Sequence, residues 1–270
     1  MSFPLIYSSN DRLSSYCDYI EYCCFTNNEM RFSEFDINES SFTLNDIKNE
    51  LERRLELYDS FSPFTIGRRG IESNLINKED FYHYLYCLYY ANEGGQTTIQ
   101  NTNLFESISD ICLKNYFNTS SSIITSVGQN TSLLIDKIEL IVGNLKEDKG
   151  NFENMPQMAK DGGIDIITYK PLDFRGNQLV CLTDATIGKH WGTQKNVNST
   201  LQMWREYVHF KTCPLTCLSI VHIVEPEKFH FSSKMNGIIF DRTRIMKYYT
   251  EVEMVKNELL NWVGRIARGL

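Results

Sequence analysis

The sequence predicts an α/β protein in which a mixed β-sheet is flanked by helices and preceded by an α-helical part. Before Met158, apolar residues recur at spacings of three and four, which is typical of amphipathic helices. After Met158 they form short runs rich in Ile, Val, Leu and Thr and bounded by Gly, Pro and Asn, which is typical of strands. Helical segments lie between and after these runs, so layers of helix can cover the sheet.

Several helices are expected in the first part of the chain. A short one is predicted near "YCDYIEYCCF", and a second begins where Thr43 and Asp46 stand in capping-box positions. "SPF" and "GRRG" then indicate a loop. Residues 79–92 are apolar on nearly every side and predict a buried helix. Further helices are predicted over "NLFESISDICLKNYF" and over about 131–146.

The second part of the chain supplies the predicted sheet. Four runs read as strands: "GIDIITY", "LVCLTD", "CLSIVHIV" and "GIIFDR". A helix around "STLQMWREYV" lies between the second and third, and an amphipathic helix closes the chain. We therefore divide the sequence into a helical, acidic N-terminal region, residues 1–98, and a sheet-containing core, residues 99–270.

Charge and composition restrict the function classes. The net charge of −7 argues against indiscriminate binding to nucleic acid. Residues 1–60 hold twelve acids and five bases, whereas residues 160–211 hold seven bases and five acids, so a polyanion would meet the second half first. The eight cysteines fall in apolar runs without zinc spacing, which predicts neither disulfides nor a metal-thiolate site. With no membrane span or signal peptide in the pattern, we expect a cytoplasmic protein.

Two carboxylates in the predicted strands point to a site. Strict alternation would place Asp165 on the face of Ile167 and Tyr169, in a strand that is apolar on both sides. Asp184 ends the next strand. If the two strands form a hairpin through "KPLDFRGNQ", both acids reach the same end of the sheet. Such a pair would suit a hard divalent cation, because Mg²⁺ prefers oxygen ligands.

These residues resemble a known family, the PD-(D/E)xK restriction-endonuclease-like superfamily. The resemblance is closest to a bacterial branch common in anti-phage defence loci, whose pattern is K-D-G-G-x-D, a turn, then hydrophobic-Q-x-T, a Lys and a Trp. The matching positions in this chain are Lys160, Asp161, Gly162, Gly163, Asp165, Asp184, Thr186, Lys189 and Trp191. The likeness extends to "LFESI", where Glu106 matches a helical glutamate, and to "GIIFDRTRI", over roughly residues 45–250.

The resemblance implies a restriction-endonuclease-like core and a nuclease activity. Glu106, Asp165 and Asp184, with the carbonyl of Ala185, would hold Mg²⁺ or Mn²⁺ for hydrolysis of DNA. Thr186, which belongs to the implied site, stands where the family has its lysine. Lys189 is the nearest residue that could take over the role of orienting water or phosphate, and Lys160 is a second candidate. The residues expected to contact the substrate are Lys160, Arg175, Lys195 and Arg205.

Two functions remain open at this stage. The chain is expected to be either an active DNA nuclease of a defence or restriction system, or a catalytically inactive relative that binds DNA or scaffolds a defence complex. The missing lysine favours the second and the three acids favour the first. A protein partner from the same operon is expected, docked through the acidic N-terminal region, and RNA remains an alternative substrate.

Overall fold

The computed structural model describes residues 12–34, 42–93, 98–125, 134–151 and 162–267. It has the mixed α/β architecture that the sequence predicts, with a five-stranded sheet and helices packed on it. The helices are α1 (Leu13–Asn27), α2 (Leu44–Tyr58), α3 (Tyr82–Glu93), α4 (Ile99–Phe117), α5 (Leu134–Leu145), α6 (Trp191–Gln194), α7 (Val197–Tyr207), α8 (Pro226–Asn236), α9 (Arg242–Tyr248) and α10 (Glu253–Ile266).

The strands form three sheets. They are β1 (Glu29–Arg31), β2 (Phe64–Ile66), β3 (Gly70–Ser73), β4 (Ser122–Ile124), β5 (Asp148–Lys149), β6 (Ile166–Lys170), β7 (Leu179–Thr186), β8 (Val208–His209), β9 (Leu215–Ile220) and β10 (Ile238–Phe240). The main sheet has the order β10-β9-β7-β6-β4, and a short pair joins β5 to β8. Strand β6 is antiparallel to β4 and to β7, while β7, β9 and β10 run parallel. The predicted hairpin between the first two of the four apolar runs is therefore confirmed.

The N-terminal part is not purely helical, which corrects the sequence prediction. Strands β1, β3 and β2 form a small antiparallel sheet, and the segment read as a loop around "GRRG" is its β2–β3 hairpin. A Cβ on Gly70 would meet the Met30 carbonyl oxygen at 2.1 Å, so the two strands approach closely only because this residue is glycine. Strands of three or four residues are too short to show the alternation that identifies strands in a sequence.

The main sheet separates two apolar clusters. The first joins α1, α2, α3, α4, α9 and α10 to one face of the sheet, through residues such as Ile166, Cys181 and Ala185. The second joins α5 and α7 to the other face, through Leu182 and the fully buried Trp204. All eight cysteines are free thiols, and seven of them are buried, as expected for small apolar residues.

A buried ionic network connects the N-terminal helices to α9. Arg54 on α2 donates through Nη1 to Asp18 Oδ1 at 2.7 Å and to Glu21 Oε1 at 2.6 Å, both on α1. Arg242 at the start of α9 donates through Nη2 to the same Asp18 oxygen at 2.5 Å. The hydroxyl of Tyr58 donates to Glu21 Oε2 at 2.9 Å. We refer to Asp18, Glu21, Arg54, Tyr58 and Arg242 as the ion network.

The charges of the ion network match each other inside the protein. Burial opposes the ionisation of Asp18, but Arg242 and Arg54 outweigh it and hold the pKa of this carboxyl below its usual range. Asp18 and Glu21, with Glu50 that pairs with Arg54, belong to the acidic N-terminal region. Three acids counted as surface charge are thus neutralised internally, which reduces the acidity available for docking a basic partner.

The described helices include none that is both long enough and apolar enough to cross a bilayer.

Candidate active site at the ends of strands β6 and β7

A two-glycine turn leads the chain into β6. Gly162 and Gly163 have φ values of +59° and +74°, a left-handed conformation that glycine adopts without strain. The Gly162 carbonyl accepts a hydrogen bond from Trp204 Nε1 at 3.1 Å, which fixes the turn to helix α7. Lys160 and Asp161, which precede the turn in the predicted motif, lie outside the described residues.

Asp165 lies immediately before β6 and is held by its backbone and side chain. Its amide donates to the Thr183 carbonyl at 2.9 Å, although Thr183 is also the register partner of Ile166. Two consecutive residues thus oppose one, as in a β-bulge. Ile164 and Ile167 accordingly pack in the same apolar cluster although they are three apart. The strict alternation predicted around Asp165 is therefore wrong.

The carboxylate of Asp165 reaches across to β7. Its Oδ2 accepts a hydrogen bond from the amide of Ala185 at 2.8 Å, and Ala185 directly follows Asp184. The two aspartates therefore lie at the same end of the sheet, as the hairpin prediction required. This hydrogen bond fixes the direction of the Asp165 carboxylate.

Asp184 lies on the face of β7 that carries α7. Val180 and Leu182, two and four residues earlier in the strand, pack in the second cluster, and residues two apart share a face. The Asp184 side chain is only 8% exposed, and its Oδ1 accepts from Lys195 Nζ at 2.8 Å. Lys195 thus places a partly exposed cation beside a mostly buried carboxylate.

Glu106 approaches the same end of the sheet from the opposite face. It lies on α4, which packs in the first cluster, and it is 4% exposed. One turn later, the hydroxyls of Ser109 and Ser219 are 2.8 Å apart, and Ser219 is the register partner of Ala185. Across the described ranges, no three His, Cys, Asp or Glu side chains are grouped so that they could hold a metal ion. Glu106 and Asp184 therefore do not form a ready-made cage.

The lysine that contacts Asp184 is not the one that the sequence spacing predicted. Lys195, expected only as a substrate contact, is the lysine that touches Asp184. Lys189, the expected catalytic replacement, lies on the loop after β7, where its side chain is exposed and lines a separate cleft. The short helix α6 lies between the two lysines and redirects the chain, so that Lys195 contacts Asp184. Nothing in the sequence predicts this change of direction.

The remaining predicted residues are spread over the molecule. Thr186 ends β7, and its Oγ1 accepts from the Gly188 amide at 3.2 Å. Arg175 lies in the turn at the far end of the β6–β7 hairpin and pairs with Asp173. Arg205 on α7 is exposed, and its Nη2 donates to Cys213 Sγ at 2.8 Å. Thus neither arginine lies beside the aspartates.

Comparison with known proteins found no match: no protein-family model, no curated protein and no solved structure matches the chain.

Proposed function

We propose that this protein is a Mg²⁺- or Mn²⁺-dependent nuclease that hydrolyses phosphodiester bonds in DNA as part of an anti-phage defence or restriction system. The observation that carries the proposal is the arrangement of two aspartates and one lysine at one end of the sheet. Asp165 is bonded to the amide that follows Asp184, and Lys195 is bonded to Asp184 itself. Two carboxylates beside a cation match the chemistry implied by the family resemblance.

The donor set fits a hard divalent cation of the kind proposed. Mg²⁺ is commonly held by one or two carboxylates together with waters and substrate phosphates, so Asp165 and Asp184 would suffice as protein ligands. The Ala185 carbonyl and Glu106 are proposed as additional ligands, as the resemblance implies. The metal, when bound, would lower the pKa of a water ligand and neutralise charge on the phosphate.

The protein side chains have separable roles in this proposal. Asp165 would keep a fixed direction, because the Ala185 amide holds one of its oxygens. Lys195 is 30% exposed at the end of a flexible side chain. It can therefore leave Asp184 when a cation binds there and donate to the attacking water or to the scissile phosphate. Thr186 would line the same strand end, while Arg175 and Arg205 remain proposed DNA contacts away from the reacting atoms. Lys160, which lies outside the described residues, also remains a proposed DNA contact.

The topology of the sheet supports the restriction-endonuclease-like assignment that we propose for the core. A helix precedes an antiparallel hairpin, which is followed by a helix and a parallel strand, in the order expected from the sequence. The five strands also lie side by side in chain order. This agreement concerns architecture, and activity depends on the site alone.

A defence-operon partner is proposed to dock on the exposed acids of the N-terminal region, such as Glu52 and Glu56 on α2. Deleting the region would be a poor test, because α1 and α2 supply part of the first apolar cluster. Reversing both exposed charges to lysine should instead weaken capture of a co-expressed operon partner without unfolding the protein. Unchanged capture would contradict this docking mode.

The activity test compares DNA cleavage by wild type, Asp165→Asn, Asp184→Asn and Lys195→Met in Mg²⁺ and in Mn²⁺. Each substitution should reduce cleavage by about 100-fold or more, the scale of losing a group that stabilises developing charge. Asp148→Asn is the matched control, since this carboxylate is 73% exposed and lies on β5, away from the site. Cleavage that survives in Asp165→Asn and Asp184→Asn would contradict the proposed chemistry.

A second candidate is a catalytically inactive nuclease-fold protein that binds DNA or scaffolds a complex. It is favoured by the lack of a three-ligand metal group among the described residues and by threonine at the position of the usual lysine. It predicts salt-dependent DNA binding, measured by fluorescence anisotropy, with no cleavage in either metal and no effect of Asp184→Asn on the affinity.

A further inference from the structure

A cleft of about 280 Å³ opens beside the carboxyl ends of β7 and β9. These neighbouring strands run parallel, and the crevice beyond the carboxyl ends of parallel strands is where α/β proteins commonly bind ligands. Its walls are the first turn of α1, the end of α3, and the loops that follow β7 and β9. Asp165, Asp184 and Glu106 do not line it, so the cleft is distinct from the proposed active site.

The charges around the cleft leave a positive surplus. Its two acids are already matched, because Asp18 pairs with arginines of the ion network and Glu225 pairs with Lys228. Arg12 and Lys189 both line the cleft and are exposed, and neither forms an ion pair with another described residue. Two unmatched cations facing one cavity favour an anionic ligand.

The start of helix α1 adds hydrogen-bond donors to the same wall. Its N-cap residue is Arg12, which makes no capping hydrogen bond, and its first turn contains no acid. Helix α2, in contrast, begins with the complete Thr43–Asp46 capping box. Among the described residues, no side chain caps the first-turn amides of this 15-residue helix, and the helix dipole favours an anion there. Ser14 and Ser15 bring this turn to the cleft.

His222 supplies an independent sign of a missing ligand. Its ring stacks on Trp191, with centroids 6.5 Å apart, and hydrogen-bonds to the Gly188 backbone. Its Nε2 atom is buried and has no hydrogen-bond partner within the described part of the chain. Burial lowers the pKa of His222 to about 4, so near neutral pH Nε2 is an acceptor that a ligand hydroxyl would satisfy.

We propose that this cleft binds the terminal phosphate of a phosphorylated sugar, with Arg12, Lys189 and the α1 amides on the phosphate and a hydroxyl of the ligand on His222. A terminal phosphate carries close to two charges and three acceptor oxygens, which matches two cations and a helix start. The cavity lies just below the range of about 300–1,000 Å³ common for small-molecule sites, which fits a phosphate with one sugar. A free sugar phosphate and the 5′ end of a nucleic acid strand share this chemistry.

The test measures binding by isothermal titration calorimetry at constant ionic strength, in EDTA. Ribose 5-phosphate should bind more tightly than inorganic phosphate, and ribose should not bind. Arg12→Gln and Lys189→Gln should each weaken ribose 5-phosphate by about tenfold, the scale of a charge-assisted hydrogen bond. Lys234→Gln is the matched control, because this exposed lysine lies at the far end of α8 and should change affinity less than about twofold.

Two further measurements are made. One distinguishes a free sugar phosphate from a strand end as the ligand, and the other distinguishes this cleft from the proposed active site. A 5′-phosphorylated oligonucleotide that binds more tightly than its 5′-hydroxyl counterpart, by a difference lost in Lys189→Gln, would identify a strand end as the ligand. Equal binding of the two would identify the free sugar phosphate. Asp184→Asn should bind ribose 5-phosphate like wild type, so failure of the nuclease proposal leaves this one intact. No binding by wild type, or an equal loss in Lys234→Gln, would overturn the proposal.

Discussion

Two groups of acids in this protein lie close to cations, but they differ in how completely they are matched. In the ion network, Arg54 and Arg242 are fully buried and surround Asp18 and Glu21 with several donors. At the sheet end, Asp184 pairs with Lys195, whose side chain is 30% exposed. Buried arginines hold their acids in place and contribute to stability, whereas a partly exposed lysine can move aside when a metal or substrate binds.

The largest expected effect is on the free energy of unfolding, and it tests the ion network. Arg242→Met should lower the free energy of unfolding by about 3–5 kcal/mol, because it leaves Asp18 and Glu21 buried with too little positive charge. Urea denaturation of wild type and variant measures the difference. Arg205→Met is the control, since Arg205 is exposed and pairs with no carboxylate among the described residues. Similar losses in both variants would show that the ion network is not the source of the stability.

A smaller effect concerns His83, a buried imidazole that lies near the Asp80 backbone. It is 4% exposed and stacks on Tyr249 with centroids 4.0 Å apart, and neither ring nitrogen meets a partner at bonding geometry. Burial lowers its pKa to about 3. The unfolded chain therefore takes up a proton as the pH falls below about 6.5, while the folded protein does not, and stability is lost.

His83→Phe should remove this pH dependence while keeping the ring stack on Tyr249. Between pH 6 and pH 5 the wild type should lose about 1 kcal/mol more free energy of unfolding than the variant. Equilibrium unfolding at pH 7, 6 and 5 measures both slopes. His222, whose pKa is also lowered, is present in both proteins, so its contribution cancels. Parallel pH profiles would show that His83 is protonated in the folded protein.

The smallest effect is expected at the sheet end. Lys195→Met should lower the free energy of unfolding by about 0.5 kcal/mol, because a partly exposed ion pair contributes little. The same variant should lose the nuclease activity that we propose, so stability and activity would separate at this residue. A loss as large as that of Arg242→Met would place Asp184 and Lys195 among the structural ion pairs instead.

The sequence predicted the regular elements well where local physics determines them. The capping box at Thr43 and Asp46 correctly located the start of α2, and the period of three and four correctly predicted α4 and α10. The hairpin followed from two apolar runs flanking a turn, and it brought Asp165 and Asp184 to one end as expected. These features depend on residues that are close together in the chain.

The sequence failed where distant segments decide the outcome. Helices α8 and α9 were missed, because α8 has few apolar residues and α9 has only seven residues. The contact between Lys195 and Asp184 depends on the path of α6, and the bulge at Asp165 depends on pairing with Thr183. Likewise, the partners of Asp18 lie 36 and 224 residues away, so its role could not be read from its neighbours.

That last separation has a consequence for synthesis of the protein. Asp18 and Glu21 leave the ribosome 224 and 221 residues before Arg242, which completes their neutralisation. At translation rates of about 5–20 residues per second, helix α1 waits roughly 10–45 s for that arginine. During this interval the nascent N-terminal helices cannot bury their acids at low cost, so they should remain loosely packed and dependent on chaperones until α9 emerges. Final closure of the fold is thereby postponed until the sheet has been made.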